Sequence, residues 1–228
     1  ENYNVTREDQ DAFALLSHQR AIAAIDEGRF KAEITPVPLP QRKGPPVLFD
    51  VDEGPRRDTN AAALAALRPA FREGGTVTAG NAPGITDGAA ALVIARRSAA
   101  EAQGLRSLAK IIGYAQGRAK PHEVFIAPIL AVRQLSEKLG RRPADFDLIE
   151  INEAFAAQVV TDARALELDI ERVNANGGAI ALGHPIGASG ARVLTTLLYA
   201  MQDRNAHTGL ATLCLGGGEA VALAVERE

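Results

Sequence analysis

Apolar positions fall into two regimes along the chain, short interrupted groups up to residue 107 and a regular recurrence from residue 108. Thr6-Arg7-Glu8-Asp9 is close to a capping box, which predicts a helix with Leu15, Ile22 and Ile25 on one face and a stop at Gly28. Residues 34–46 are too rich in proline for a helix or a central strand, and are expected to run extended over the surface. Thr59 is placed to cap a second helix carrying Leu64, Leu67 and Phe71 and ended by Gly74-Gly75. Residues 76–79 read as a short strand and residues 80–84 as a turn-rich loop. The continuous apolar run 91–95 reads as a buried strand. Ser98 opens a short helix that ends at Gly104.

From Leu108 the units are longer. A strand over 108–114 leads to a helix with Pro128 in its first turn, apolar Val132, Leu135 and Leu139, and a stop at Gly140. A strand over 147–151 leads to a helix with Phe155, Val159 and Leu166. The glycine-rich loop 174–190 opens a helix with Leu194, Leu197 and Met201, which belong to the core. Two strands, 210–215 and 220–225, flank Gly216-Gly217-Gly218. This order implies an α/β fold: a mixed sheet with helices on both faces, ending in a hairpin.

Composition narrows the function classes. Of 228 residues, 25 are Lys or Arg and 28 are Asp or Glu, for a formal charge of −3. No basic stripe suits nucleic acid. No stretch approaches the roughly 20 apolar residues a membrane span requires. The polar start Glu1-Asn2-Tyr3-Asn4 does not read as a signal peptide, so a cytoplasmic protein is expected. The chain does not begin with Met, which suggests processing or a fragment. The single Cys excludes an internal disulfide and a cysteine-rich zinc site, and any chemistry needing two thiols from this chain. No His, Cys and Asp spacing suggests a metal.

Three clusters can carry chemistry. Asn152-Glu153-Ala154-Phe155 lies where a strand becomes a helix, and ligand sites in α/β sheets gather at the carboxyl ends of strands. The same Asn and Glu can also be a plain cap and first-turn acid. Residues 174–190 hold five glycines, which permit positive φ and close backbone approach, with His184 between Gly183 and Pro185. A neutral imidazole in such a bend can donate to a developing oxyanion or carry a proton near neutral pH, and it can also be structural. The loop lacks the Lys-Ser/Thr pair of a triphosphate-binding loop. Cys214 ends an apolar strand just before three glycines. It is either an inert buried thiol or an acid/base thiol beside an oxyanion-binding turn. The other histidines read as structural: His18 packed at a helix boundary, His122 and His207 in polar loops. Arg56-Arg57 lies in a polar loop where it could meet a phosphate.

Together, Asn152-Glu153-Ala154-Phe155, the Asn174 to Arg192 block with Gly183-His184-Pro185, and Cys214-Leu215-Gly216-Gly217-Gly218 resemble the thiolase family, in the family's order. Ser17-His18-Gln19 and the segment from Gly80 to Ala90 add to the resemblance. It implies a ping-pong Claisen reaction, or its thiolytic reverse, on acyl-CoA and acetyl-CoA, with no permanently bound cofactor. One cysteine is acylated, and a second removes a proton from acetyl-CoA. Carried over by motif, His184 resembles the histidine that activates the nucleophilic thiol and donates to one oxyanion hole. Asn152 resembles the residue that holds a water for the enolate, Cys214 the acid/base thiol, and the Gly216 N–H a donor in the second oxyanion hole. A free thiol titrates at about 8.5, so shuttling at neutral pH asks the local field to lower it.

The resemblance further implies a division of the chain. Residues 1–86 are expected to be most of the coenzyme-binding loop domain, 87–107 the last strand and helix of the N-terminal domain, and 108–228 the complete C-terminal domain. Arg56 and Phe71 are expected near the nucleotide, Ala79 and Pro83 near the pantetheine, and Phe155 among the coenzyme contacts. Pro83 stands where relatives often have Ser. The segment after the glycines, Glu219-Ala220-Val221, also departs from many relatives. By this reading the chain is the C-terminal three-fifths of a thiolase, and the N-terminal half with the acylated cysteine is absent. A complete enzyme would be a homodimer or homotetramer. The other reading is a catalytically silent CoA-binding or structural module. Without its sheet, strand 91–95 would have open edges.

Overall fold

A computed structural model describes residues 2–227. Glu1 and Glu228, the outer bounds of the expected first and last segments, lie outside the described residues. Helix α1 (Arg7–Asp26) begins as its sequence predicts. The Asp9 N–H donates to Thr6 Oγ1 at 3.1 Å, and the Thr6 N–H donates to Asp9 Oδ2 at 2.9 Å, a reciprocal capping box. Gly28, with φ of 72°, follows the helix end. The buried face differs from the predicted one. Leu15, Ile22 and Ile25 are half-buried, whereas Ala14, Ser17, His18, Ala21 and Ala24 are buried. Small side chains win because α1 lies against the backbone of the glycine-rich loop. A Cβ on Gly177, whose φ is +77°, would stand 2.6 Å from Ser17 O and 2.7 Å from Ala21 N.

Residues 29–108 carry little regular structure. The proline-rich stretch is extended and exposed, and two pieces of the segment pair: β1 (Val37–Leu39) and β2 (Val47–Phe49) form an isolated antiparallel ribbon. Pro38 is tolerated there because a two-stranded ribbon has only edges. Helix α2 (Ala61–Ala65) is shorter than predicted, and Asn60 caps it instead of Thr59. The Ala63 N–H donates to Asn60 Oδ1 at 2.9 Å. Pro69 ends any continuation, so Leu67 and Phe71 lie outside the helix. The expected strand 76–79 reduces to one bridge between Pro69 and Thr78.

The expected strand 91–95 does not form. Val93 and Ile94 are 93% and 73% exposed, and Leu92 alone of the larger side chains touches a core cluster. An apolar strand requires a neighbouring strand to take its N–H and C=O groups, and the described residues supply none here. Helix α3 (Arg97–Ala102) follows, and Gly104 has φ of 65°.

The regular part begins at β3 (Lys110–Arg118), longer than predicted. Helix α4 (Ala127–Leu139) has Pro128 in its first turn and Gly140 as a left-handed cap. Strand β4 (Leu148–Ile151), helix α5 (Ala156–Ala165), the short α6 (Ala179–Leu182), α7 (Ser189–Asp203), β5 (Thr208–Leu215) and β6 (Glu219–Glu226) complete the chain. The four-stranded sheet has the order β3-β6-β5-β4. Its β4–β5 pair is parallel and the other two pairs are antiparallel. Side chains alternate across the sheet, and each face has its own core. Ile149, Ile151, Leu210, Ala222 and Ala224 pack with Val132 and Leu135 of α4, Val159 of α5 and Phe13 of α1. Leu148, Ala211 and Val225 pack with Val193, Leu197 and Met201 of α7. The mixed sheet with helices on both faces is the predicted architecture. Each fully buried side chain such as Leu135 contributes roughly 1.5–3 kcal/mol.

Candidate active site

The carboxyl ends of parallel β4 and β5 lie side by side. The Asn152 N–H donates to Thr212 O at 3.0 Å, so the ladder runs one residue past β4 and sets Asn152 at the sheet's end. Cys214 stands two residues beyond Thr212, near the end of β5. The capping reading of Asn152-Glu153 does not hold. The residue at the N-cap of α5 is Phe155, and no side chain caps the helix. Asn152 and Glu153 are both buried and serve two different purposes.

Glu153 holds the glycine-rich loop. Its carboxylate accepts from Ser17 Oγ at 2.7 Å, from Asn174 Nδ2 at 2.8 Å and from the Ile180 N–H at 2.9 Å. Gly178 abuts that carboxylate, and its N–H donates to Ser17 Oγ at 3.1 Å. Burial pushes the Glu153 carboxyl up, against these donors. Asn174 also donates to Ile151 O and accepts from the Ile151 N–H, each at 2.8 Å. The loop is thereby stitched to the end of β4.

Asn152 faces His184. Its Nδ2 lies 3.3 Å from His184 Nε2, while His184 Nδ1 lies 2.6 Å from Ser189 Oγ. The Ser189 hydroxyl donates its only proton to Pro185 O at 3.0 Å. It therefore accepts from Nδ1–H, and this network assigns the Nε2 lone pair to the side facing the Asn152 amide. Burial, and then the positive charge of Arg192, lower the His184 pKa. The imidazole is neutral at neutral pH, with a basic nitrogen beside an amide. Asn152 Oδ1 is buried without a partner.

Cys214 is a free, half-buried thiol. Its pKa is pushed up to about 11, first by burial and then by the negative charge of Asp162. This corrects the expectation that the local field lowers it. Among the described residues the surroundings are apolar strand and a buried acid, with no cation contributing, so the thiol is a proton donor at rest. Asp162 is itself raised by burial, and it accepts from Gln158 Nε2 at 2.5 Å. Gly216 is exposed at the turn after β5. Gly217 and Gly218 take φ of 81° and 92° there, and Gly218 O accepts from the Ala119 N–H at 2.8 Å.

The residues expected to meet the coenzyme divide into two groups. Phe155 is half-buried, with the rings of Phe71 and Phe125 edge-on at 6.3 and 5.1 Å, so three distant segments form one aromatic wall. Ala79 is exposed and Pro83 half-buried in a turn that Asn81 fixes. Asn81 O accepts from the Ala156 N–H at 3.0 Å, and Gly84 O accepts from the His184 N–H at 3.3 Å. That turn therefore spans from the start of α5 to His184. Arg56 is exposed, and its backbone N–H donates to Nδ1 of buried His18 at 3.2 Å. Arg57 is not a free cation, since it is paired with Asp26. Ser189, Asn174 and Asn81 lay inside the quoted motif segments without a role of their own, and Phe125 escaped the sequence reading. Ser189 alone left a signal, a short polar residue five positions after His184 at a helix start. An open cavity of about 950 Å³ between β3 and α4, lined by Tyr114, Arg133 and Lys138, includes none of these residues. Among the described residues no group of three or more His, Cys, Asp or Glu is arranged to hold a metal ion, and no helix is long and apolar enough to cross a membrane.

Residues 105–227 match the family model "Thiolase, C-terminal domain", and residues 1–98 match "Thiolase, N-terminal domain". The chain belongs to the thiolase family. It carries sequence of both family domains, with the N-terminal family model matched over residues 1–98. The acetyl-CoA acetyltransferase of Allochromatium vinosum is 55% identical over 100% of this chain and 58% of that protein. The one from Escherichia coli strain K12 is 55% identical over 99% of this chain and 57% of its own length. The crystal structure of the Bacillus anthracis acetyl-CoA acetyltransferase superposes with a TM-score of 0.97 at 46% identity, covering all of this chain and 58% of that one. Human mitochondrial 3-ketoacyl-CoA thiolase gives a TM-score of 0.92 at 36% identity, over 100% of this chain and 57% of that one. The chain thus spans less than two thirds of the length of these relatives.

Proposed function

We propose that the chain supplies the acid/base and oxyanion-binding part of an acetyl-CoA C-acyltransferase, working in a longer or two-piece enzyme. The reaction is Claisen condensation of acyl-CoA with acetyl-CoA, or thiolysis of a 3-ketoacyl-CoA such as acetoacetyl-CoA. The observation that carries this is the Asn152–His184–Ser189 chain at the carboxyl ends of β4 and β5, with Cys214 near the end of the neighbouring strand.

In this reading a nucleophilic thiol outside the chain gives its proton to His184 Nε2 and attacks the thioester carbonyl. The resulting Nε2–H is then a donor for oxyanion charge, so one nitrogen serves both roles in turn. Asn152 Oδ1, buried and unpartnered, can receive a hydrogen bond from a water that in turn donates to the enolate oxygen. Cys214 exchanges the α-proton of acetyl-CoA. Its high pKa suits proton donation in the thiolytic direction, and acting as a base requires bound substrate or the complementing segment to lower it. The Gly216 N–H completes the second oxyanion site. Phe155 with Phe71, the Ala79–Pro83 turn and Arg56 line the path of the coenzyme. The exposed Ile85, Val93 and Ile94 suit a sheet contributed by the segment that carries the second thiol, and the whole enzyme would be a homodimer or homotetramer in the cytoplasm.

The test is thiolysis of acetoacetyl-CoA by this chain, alone and mixed with the N-terminal portion of a thiolase that carries the nucleophilic cysteine. Turnover in the mixture only is expected. No turnover in a mixture that forms a complex overturns the proposal and, if calorimetry still detects acetyl-CoA binding, favours a silent CoA-binding module.

A further inference from the structure

Behind the Asn152–His184 contact lies a buried cluster of charge that the reading above does not use. Glu150 sits two residues before Asn152 on β4 and is 2% exposed. Alternation on the strand turns it away from Ile149 and Ile151, toward α7. There Arg192 Nη1 lies 3.9 Å from Glu150 Oε2. Arg192 is one turn along α7 from Ser189, the partner of His184. The pair therefore joins the strand end that carries Asn152 to the helix start that carries Ser189. It does so without a direct hydrogen bond: Glu150 Oε2 and Arg192 Nε and Nη1 are all buried and unpartnered.

We propose that Arg192, facing Glu150 at 3.9 Å, is the positioning residue that supports the Asn152–His184–Ser189 alignment and places a positive charge near the imidazole. This rests on the reading of His184 as the acid/base residue. Among the described residues, Arg192 is the charged side chain whose field reaches the His184 imidazole, after burial the second cause of its lowered pKa. Around Arg192 stand Glu150 from β4, Glu33 after α1 and Asp52 after β2, and Glu33 accepts from Thr196 Oγ1 at 3.3 Å. Asp203 acts on Glu33, and Arg20 and Glu153 act on Glu150. Burial raises Glu150 to about 8 and Glu33 to about 7, each against the pull of Arg192. Below pH 7 Glu150 and Glu33 are largely protonated, which leaves less negative charge beside Arg192. The arginine charge opposes a second positive charge on His184 and holds Nε2 in its basic form. Ionisation of Glu150 at higher pH weakens the field that His184 feels.

The experiment is a proton NMR titration of the histidine Hε1 signals in this chain, with His184 assigned from the spectrum of H184Q. Arg192→Met is expected to raise the His184 midpoint by about 0.5–1 unit. Arg192→Lys, which keeps the charge, is expected to hold it near the wild-type value. Wild-type His184 is also expected to show a second, smaller inflection near pH 8, and Glu150→Gln to abolish it. The proposal is overturned if Arg192→Met leaves the midpoint within about 0.2 unit, since a buried charge that acts on the imidazole shifts its pKa by more. It is equally overturned if Met and Lys shift the midpoint alike, or if the upper inflection survives in Glu150→Gln. Should Arg192→Met fail to fold, the Glu150→Gln titration decides alone. No reading here involves turnover. An inactive reconstituted enzyme therefore refutes the functional proposal and leaves this coupling standing, while unmoved midpoints do the reverse.

Discussion

Residues 110–226 and residues 29–108 are built on opposite principles. The first region builds a four-stranded sheet with a separate apolar core on each face. The second has a ribbon of two three-residue strands, two short α-helices and a largely exposed apolar run at 91–95. Yet both reach the site. The sheet region carries Asn152, His184, Ser189 and Cys214, whereas the other contributes Phe71, the 79–84 turn and Arg56. The groups proposed to move protons gather at the carboxyl end of the sheet and its glycine-rich loop, and most of those proposed to meet the coenzyme stand on extended chain.

That contrast can be broken most sharply by substitution in a complete, active enzyme. His184→Ala and Cys214→Ala are each expected to lower turnover by ~10²–10⁴-fold. Phe71→Ala is expected to raise KM with kcat nearly unchanged, since it removes a binding contact and no proton transfer. Steady-state thiolysis separates the two patterns, and equal losses of kcat in all three would erase the division of labour. Next in size is folding. Leu135→Ala is expected to cost ~2–5 kcal/mol by denaturant unfolding, as a large-to-small change in a closed core. Val93→Ser in the isolated chain is expected to stay within about 0.5 kcal/mol, because that side chain is already in water. A larger cost at Val93 would mean that the apolar run is packed.

A smaller effect is in the pH dependence. Glu150 and Glu33 have folded pKa values of about 8 and about 7, above their ordinary 4.5. The fold binds these protons more tightly than the unfolded chain, so their contribution is complete below about 4.5 and is lost as pH rises toward 8. His18 and His184 act the other way, since both are lowered mainly by burial, and they cost stability as pH falls below about 6.5. Glu150→Gln is expected to flatten the loss of thermal stability between pH 5 and 8. An unchanged slope would remove Glu150 from that balance.

The sheet was legible because its elements obey local rules. Pro128 and Gly140 bracket α4, the Thr6–Asp9 box starts α1, and the strands are long enough for periodicity to speak. Residues 91–95 were misread because a strand is a property of a pair of segments, and apolarity alone supplies no partner. Asn152-Glu153 was ambiguous because a cap and a ligand-facing pair use the same residue types at a helix start. Only the long-range contacts of Glu153 with Ser17 and of Asn152 with His184 separate them. The Cys214 pKa was misjudged because it depends first on burial in the folded strand and then on Asp162, a helix residue with no motif to announce it. Arg192 and Glu150 read as an ordinary helix cation and an ordinary strand acid until the fold brought them together.

Amide hydrogen exchange of this chain, followed by mass spectrometry, tests most directly the claim that the groups proposed to move protons are preassembled at the end of the sheet while residues 84–96 are left without a partner strand among the described residues. Peptides covering 148–153, 174–190 and 208–215 are expected to be protected for hours, and peptides covering 84–96 to exchange within seconds. Fast exchange in all of them, or protection of 84–96 equal to that of the sheet, would contradict it.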